Sequence, residues 1–415
     1  TSVSTSVTDT IDVTKLTLTG SSVSEDNGVL TINAALSNPA PEALTVTLND
    51  GKGHVIQIPI AQGATTGSAT FTATAAEFNY LAATESAKLN FSVSFSSNSF
   101  EKLEFADPFY TVTVNGENDG ISIKPASTDA NGDVVEDLNV ASGKLTDTGF
   151  IAFSDVDLSD VHTATVVVDP NNTLGGQLTL GSITEAPNTT DGTFGWTYKV
   201  DNNAVQYLAK DQTTSESFTV TITDATGASV NQLVLVTIKG TNDAPDISVQ
   251  TGDSASAALT EANAAAGLAS AGLKATGKLS VRDIDTTDTV DVTVESVSLS
   301  GTGNGFVAGA FDNPKALAML TVSQGALKNE AAVDALGNLT WNFDSGLVGF
   351  DYLQAGETQV FTYVLKAKDT AGATDTQTVV ITVTGSQDIA KISGQAEATV
   401  TEKGGSLNNS YATLY

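Results

Sequence analysis

A chain of 415 residues is too long for one ordinary hydrophobic core and points to roughly two to four domains. Its 48 acidic against 18 basic residues give a formal net charge of -30, which argues against nucleic acid or an anionic membrane surface as partner, since either would repel it. There is no cysteine, so disulfide staples and thiol chemistry are excluded, and bound metal ions are the obvious substitute.

Taken in order, the chain shows almost no helical periodicity. Val, Ile, Phe and Leu alternate with Thr and Ser in short runs broken by Gly, Asn and Asp, as in Ala43 to Leu48, Ser217 to Ile222 and Gln377 to Val383. Period two with hydroxyl residues facing out fits antiparallel sheets with one wet face, and many such strands at short spacing predict β-sandwiches. The Ala-rich stretch from Ala255 to Ala271 has room for a helical turn, but its serines and glycines oppose a long helix. Apolar runs such as Leu233 to Val236 are strand-sized and far short of a bilayer span. The chain opens Thr1-Ser2-Val3 without a basic leader and an apolar run, and reads as a soluble section cut from a longer polypeptide.

The chain also repeats itself. Trp196 through Asp243 return as Trp341 through Asp388 at a constant offset of 145, with Leu208 matching Leu353 and Phe218 matching Tyr363. Upstream, Asp155-Val156-Asp157-Leu158-Ser159-Asp160 returns as Asp283-Ile284-Asp285-Thr286-Thr287-Asp288 at an offset of 128. The later copy therefore carries a net 17 extra residues, expected as a loop or hairpin around Gly301 to Ala316. A similar ending occurs at Val112 to Asp119, and Thr399-Val400-Thr401-Glu402 resembles the openings Val134-Val135-Glu136 and Leu259-Thr260-Glu261. The expected modules are residues 1–118, 119–243, 244–388 and a truncated 389–415.

Three carboxylates within six residues repel one another unless something positive sits among them, and a hard cation such as Ca²⁺ suits an all-oxygen set. In an extended D-x-D both carboxylates lie on one side, so one ion can draw on both. The opposing interpretation is that Asp-rich turns are merely solvated; recurrence at matched positions favours the ion. The third aspartates, Asp160 and Asp288, are weaker candidates that could cap a turn. Asp224 and Asp369, in D-x-x-G turns, either complete such a site or make an Asx-turn.

Gly240-Thr241-Asn242-Asp243-Ala244-Pro245, the D-x-D and Gly195-Trp196-Thr197-Tyr198 together resemble the VCBS repeat, a cadherin-like module of large bacterial adhesins exported by type I secretion (RTX-type). The resemblance covers residues 119–388 well; residues 1–118 look more like the immunoglobulin-like extender modules of such adhesins. It implies an all-β chain of tandem immunoglobulin/cadherin-like β-sandwich modules in an extended array, with Ca²⁺ at the junctions. The implied ligands are a strand glutamate, a D-x-D and a linker Asn-Asp. Here these are Asn118 and Asp119; Glu136, Asp155, Asp157, Asn242 and Asp243; and Glu261, Asp283, Asp285 and Asp388. For the D-x-D at Asp155 and Asp157, the expected partners are Asp119 and Glu136. Around residue 388 the family pattern breaks, because Ser386-Gln387-Asp388-Ile389-Ala390 lacks the Asn and the Pro, and Trp341 has no Gly before it.

Trp196 and Trp341 could stack on sugars, but their matched places in alternating strands assign them to cores. His54 and His162 stand in no catalytic context, and no P-loop, G-x-S-x-G or H-E-x-x-H signature occurs. The expectation is a non-enzymatic, Ca²⁺-rigidified extender of a secreted bacterial cell-surface adhesin, acting in surface attachment or biofilm formation. Its partners would be neighbouring modules and host, abiotic or glycan surfaces, with no nucleic acid and no membrane insertion. The alternatives are a filament or surface-layer subunit that self-assembles by strand addition through residues 396–415, and a glycan-binding module in residues 1–118.

Overall fold

The computed structural model describes residues 4–6, 8–96, 99–105, 107–187, 189–261, 272–302, 313–323, 327–328 and 336–388. The expected truncated module at 389–415 and the donated strand at 396–415 lie outside the described residues, as does most of the Gly-rich insertion. The chain divides into two compact units. One comprises residues 1–206 and 211–241, the other residues 207–210 and 242–415.

The first unit contains two pairs of sheets. Within residues 13–115, a four-stranded sheet runs Thr66–Thr72, Val29–Leu36, Val13–Thr19, Lys102–Phe105, and a five-stranded sheet runs Ser22–Ser24, Phe109–Asn115, Ser86–Phe95, Leu44–Asn49, Val55–Ile60. The alternation read in the sequence is the reason: Leu44, Val46 and Leu48 are buried, while Thr45 and Thr47 face the opposite side. Between residues 122 and 239, Lys144–Ser154 and Asp191–Asp201 pair along eleven residues at the centre of one sheet. The facing sheet runs Asn131–Val135, Ser229–Lys239, Thr213–Thr223, Thr163–Val168.

The second unit repeats this pair. One sheet runs Asp246–Ser248, Lys274–Arg282, Leu339–Asp344, Leu320–Ser323; the other runs Ser256–Thr260, Thr374–Thr384, Thr358–Lys368, Thr289–Thr302, Leu327–Lys328. Part of the expected loop or hairpin is instead a short helix, Asn313–Ala318, whose Ala316 carbonyl accepts the hydroxyl of buried Tyr363 at 2.8 Å.

Trp196 and Trp341 are buried, and their indole nitrogens donate to the carbonyls of Asp129 and Ser254, each at 2.7 Å. Gly149 and Gly277 pair opposite them, and a Cβ at either glycine would meet the indole at 2.3 Å. Each tryptophan is thus a core plug seated on a glycine, with its one donor satisfied, and neither offers a ring to a sugar.

Three strands that pair in parallel with the last strand of a sheet end at the same place. Ser22–Ser24 lies on Phe109–Asn115, Asn131–Val135 on Ser229–Lys239, and Ser256–Thr260 on Thr374–Thr384. In each case the next residue is a buried glutamate, Glu25, Glu136 or Glu261. Their amides donate to Asn115, Lys239 and Thr384 respectively, which fixes each carboxylate at the end of its sheet.

Candidate metal centres

At the end of Lys144–Ser154 the chain leaves the sheet through the D-x-D loop. Asp155 Oδ accepts the amide of Asp157 at 3.1 Å, and Asp157 Oδ2 accepts the linker amide of Asp119 at 2.8 Å. The loop is tied across by the amide of Leu158, which donates to the Tyr80 carbonyl at 3.4 Å. Two acidic clusters result. Glu25, Asp119 and Asp157 bring one carboxylate oxygen each within 4.8 Å of the others, and Asp155, Asp160 and Asp224 do the same.

The glutamate in the first of these clusters is Glu25, not Glu136 as the sequence reading expected. Glu25 accepts the amides of Glu117 at 2.7 Å and Leu81 at 3.3 Å. Glu136 lies at the exit end of its sheet, where it accepts the Thr241 amide at 2.9 Å. The reason is topological: the glutamate follows a strand paired with the last strand of its own sandwich, so it faces the outgoing linker.

Asp224 makes an Asx-type turn and also stands in an acidic cluster. One oxygen accepts the amides of Thr226, Gly227 and Ala228 at 2.8 to 3.0 Å, an Asx-type turn, while the other accepts Asn118 Nδ2 at 3.1 Å. Burial opposes charge on Asp224, but these hydrogen bonds outweigh it and lower its pKa. Asp160, a weaker candidate in the sequence, stands in the cluster with Asp155 and Asp224. Beside it, His162 Nε2 lies 3.0 Å from Asp155 and Nδ1 lies against Glu185. Asp155, Asp157, Asp160, His162 and Glu185 share the lining of one cavity of about 140 Å³.

The second unit repeats the D-x-D, linker and turn contacts. Asp283 accepts the Asp285 amide at 3.1 Å, and Asp285 accepts the linker amide of Asp243 at 3.0 Å. Asn242 donates to Asp369 at 2.8 Å, and Asp369 holds its own turn through the amides of Gly372 and Ala373. Asp283, Asp288 and Asp369 form a third cluster, wholly buried; Glu261, Asp351 and Asp388 form a fourth. Glu25, Asp160, Asp288 and Asp351 are the cluster members outside the expected ligand set; Asp160 and Asp288 are its weaker candidates, and the sequence reading names neither Glu25 nor Asp351 as a ligand. A signal for Glu25 was present, since Val23-Ser24-Glu25 has the same apolar-x-Glu pattern as Val134-Val135-Glu136 and Leu259-Thr260-Glu261. Asp351 was hidden because its match at the offset of 145 is Gln206.

These clusters are electrostatically costly as they stand. Two full charges about 5 Å apart repel by on the order of 3 kcal/mol at an effective dielectric of about 20. Three such pairs would rival the whole stability of a small domain, about 5–15 kcal/mol. The carboxyls respond accordingly. Burial, reinforced by neighbouring charges, pushes Asp157 and Asp283 up to about 6 and Asp285 and Glu261 up to about 7. Asp119, Asp160, Asp288 and Glu25 are also raised, with burial the largest cause.

The fit to a cation is seen at single atoms. Asp157 Oδ1, Asp160 Oδ2, Asp283 Oδ2, Asp285 Oδ1 and Asp288 Oδ2 are buried without a hydrogen-bond partner. Buried oxygens left so are uncommon. Asp157, Asp160, Asp283 and Asp288 each belong to one of the clusters, and Asp157, Asp283 and Asp285 accept a backbone amide through the other oxygen. An all-oxygen set of this kind suits Ca²⁺, which takes roughly six to eight oxygens, better than a thiolate- or imidazole-seeking metal.

Fold and clusters define a tandem β-sandwich protein that carries acidic clusters at the ends of its sheets. Residues 12–116 match the LapA domain, a bacterial adhesin family. Among solved structures, the chain is similar to a protocadherin gammaB7 EC3-6 cis-dimer structure, 13% identical with a TM-score of 0.39, the match covering 90% of this chain and 72% of that one. It is also similar to protocadherin gamma B2 extracellular cadherin domains 3-6, at 12% identity and TM-score 0.31, covering 91% of this chain and 78% of that one. Mouse protocadherin-24 EC1-3 aligns at 11% identity and TM-score 0.28, over 84% of this chain and 91% of that one. No curated protein matches the chain. Among the described residues no helix is long and apolar enough to cross a membrane.

Proposed function

We propose that this chain is a Ca²⁺-stiffened extender section of a bacterial cell-surface adhesin of the VCBS, type I-secreted kind, which holds an adhesive region away from the cell in surface attachment or biofilm formation. The observation that carries the cation is the set of buried, unpartnered carboxylate oxygens in the clusters around Asp155–Asp160 and Asp283–Asp288. The LapA match over residues 12–116 supports the adhesin setting.

In this reading Glu25, Asp119 and Asp157 hold one ion, and Asp155, Asp160, Asp224 and Asn118 another. Asp283, Asp288, Asp369 and Asn242 hold a third, with Asp243 and Asp285 contributing beside it. Asn118 and Asn242 present an amide whose oxygen and nitrogen exchange places by a half turn, so either can offer its oxygen to an ion. The ion supplies positive charge among carboxylates that otherwise repel one another. Each junction is then stable only with linker and loop drawn together, which turns a hinge into a stiff joint. Partners would be neighbouring modules of the same chain and the surface to be bound.

Chelation tests this. With EDTA in place of millimolar Ca²⁺, the melting temperature should fall by on the order of 10 °C, and the scattering-derived maximum dimension should change as the junctions loosen. A melting temperature and a scattering profile both indifferent to EDTA would defeat the reading.

A further inference from the structure

His54 closes a hairpin turn within residues 13–115 and is flanked by carboxylates on two different elements. Its Nδ1 lies 2.6 Å from Asp50 Oδ2 on the same hairpin, and its Nε2 lies 3.0 Å from Glu77 Oε2 on the short helix Ala75–Phe78. The Asp50 side chain is buried and fixed, since its Oδ1 also accepts the amides of Lys52 and His54, whereas Glu77 is exposed. These are the charged groups that face the ring. The strands Thr66–Thr72 and Ser86–Phe95 bring Phe71 and Phe91 against it, and the helix brings Phe78. The segment that carries Glu77 is itself seated on the Glu25–Asp119–Asp157 cluster. At its start the Ala73 amide donates to the Gly28 carbonyl at 3.1 Å and the Ala75 amide to Asn27 Oδ1 at 3.3 Å, both on the turn that follows Glu25. At its end the Leu81 amide lies 3.3 Å from both the Phe78 carbonyl and Glu25 Oε2. Between them, the Tyr80 carbonyl accepts the Leu158 amide of the D-x-D loop at 3.4 Å.

We propose that His54 is a proton-operated clasp that seats residues 73–82 on Glu25, so that proton binding at His54 and cation binding at this junction favour each other. A neutral imidazole carries one N–H and one lone pair, so it donates to only one of two carboxylates and turns a bare nitrogen to the other. Only the protonated ring donates to both. Asp50 is the acceptor pinned by backbone amides, so on deprotonation Glu77 is the one released. Burial works against charge on the ring, but the bonds to Asp50 and then Glu77 outweigh it and raise its pKa. The clasp is therefore complete below the ordinary histidine value, about 6.5, and opens as pH rises through the raised one. Its opening loosens the segment whose Leu81 amide helps hold Glu25 beside Asp119 and Asp157. The coupling to a cation rests on the reading above and is reciprocal by linkage, whereas the clasp itself stands without it.

Hydrogen exchange of residues 74–82 in the full chain tests the clasp in EDTA, where no divalent ion contributes. Between pH 6 and pH 9 the protection of wild type should fall about two- to fivefold relative to His54→Gln and to Glu77→Ala. The junction carboxyls are present in all three proteins, so the change in ratio isolates the ring. Glu77 is exposed, so Glu77→Ala keeps the fold even where His54→Gln does not. A ratio that does not change with pH makes these contacts ordinary packing and overturns the proposal. Following the protection of residues 155–160 through a Ca²⁺ titration then tests the coupling. The apparent Ca²⁺ affinity of wild type relative to His54→Gln should fall by about two- to fivefold over the same pH interval. A constant affinity ratio overturns the coupling. If wild type does not respond to Ca²⁺ at all, the cation reading and the coupling fail together, while the exchange ratio in EDTA still decides the clasp.

Discussion

The clusters Asp155–Asp160–Asp224 and Asp283–Asp288–Asp369 are built from the same strand end and the same Asx-type turn, yet they differ in one neighbour. Beside the first, His162 places an imidazole nitrogen 3.0 Å from Asp155, with Glu185 on its far side. Beside the second, the matched residue is Val290, buried and without a polar atom on its side chain. Asp283 Oδ2 is accordingly unpartnered, and its carboxyl is pushed up to about 6, chiefly by burial, with Asp369, Asp288 and Asp243 adding to it. The comparison separates two solutions to one problem. An imidazole lies within hydrogen-bond distance of Asp155 and Glu185 in the first cluster, whereas the second has an apolar side chain at that place.

The largest effect should come from Asp283→Asn, and its sign should depend on the solution. In EDTA the variant removes a buried, repelled carboxylate and should melt a few degrees above wild type, corresponding to about 1–2 kcal/mol. In saturating Ca²⁺ it loses a ligand and should melt below wild type, since an ion at about 100 times its Kd contributes about 2.7 kcal/mol. A shift of the same sign in both solutions, read by calorimetry, would break the comparison.

Next in size is the pH dependence without metal. The folded pKa values of Asp157, Asp283, Asp285 and Glu261 lie above their ordinary values, at about 6 to 7. The folded chain therefore holds protons that the unfolded chain has already released. The stability they contribute is complete below the ordinary carboxylate range, about 4, and is lost as pH rises through about 6 to 7. Melting temperatures in EDTA should fall between pH 5 and pH 7.5 (roughly 4 °C or more in all), and added Ca²⁺ should flatten or reverse the slope. A cation-free melting temperature that rises over this interval contradicts the account.

Exchanging the distinguishing neighbour should have a smaller effect. Val290→His should reduce the EDTA sensitivity of the second unit, and His162→Val should increase that of the first, each by about 1 kcal/mol, measured by hydrogen exchange of the D-x-D loops. If the two swaps leave local protection unchanged, the imidazole is not what separates the clusters.

The smallest effect concerns His54, remote in sequence from both clusters. Its ring nitrogens lie 2.6 Å from Asp50 and 3.0 Å from Glu77, beside Phe71, Phe78 and Phe91. Burial works against its charge, but the bonds to Asp50 and then Glu77 outweigh it and raise its pKa. This contribution is present below the ordinary histidine value, about 6.5, and is lost as pH rises through the raised one. His54→Gln should remove it, at about 0.5–1 kcal/mol, without changing the number of ions bound.

Much of the architecture was legible in the chain itself. Alternating Val/Thr runs dictated the sheets, and the offset of 145 matched Trp196 to Trp341 and Asp224 to Asp369. The D-x-D carboxylates stood out because two copies could be compared. What stayed hidden depended on pairing across long stretches. That Glu25 and not Glu136 joins Asp119 and Asp157 follows from Ser22–Ser24 pairing in parallel with Phe109–Asn115, which no local pattern announces. Asp351 was hidden because its aligned partner, Gln206, is not a carboxylate. The double role of Asp224 was equally unreadable, because both uses of an aspartate in a D-x-x-G turn leave the same sequence.

The most direct measurement is a crystal structure of the chain grown in millimolar Ca²⁺, with anomalous scattering to identify the ion. The account predicts ions at about 2.3–2.6 Å from the oxygens of Asp155, Asp160 and Asp224 and of Asp283, Asp288 and Asp369. The orphaned oxygens of Asp160, Asp283 and Asp288 should then be ligated. Carboxyls hydrogen-bonded to one another or to water at those places, with no ion at saturating Ca²⁺, would contradict it.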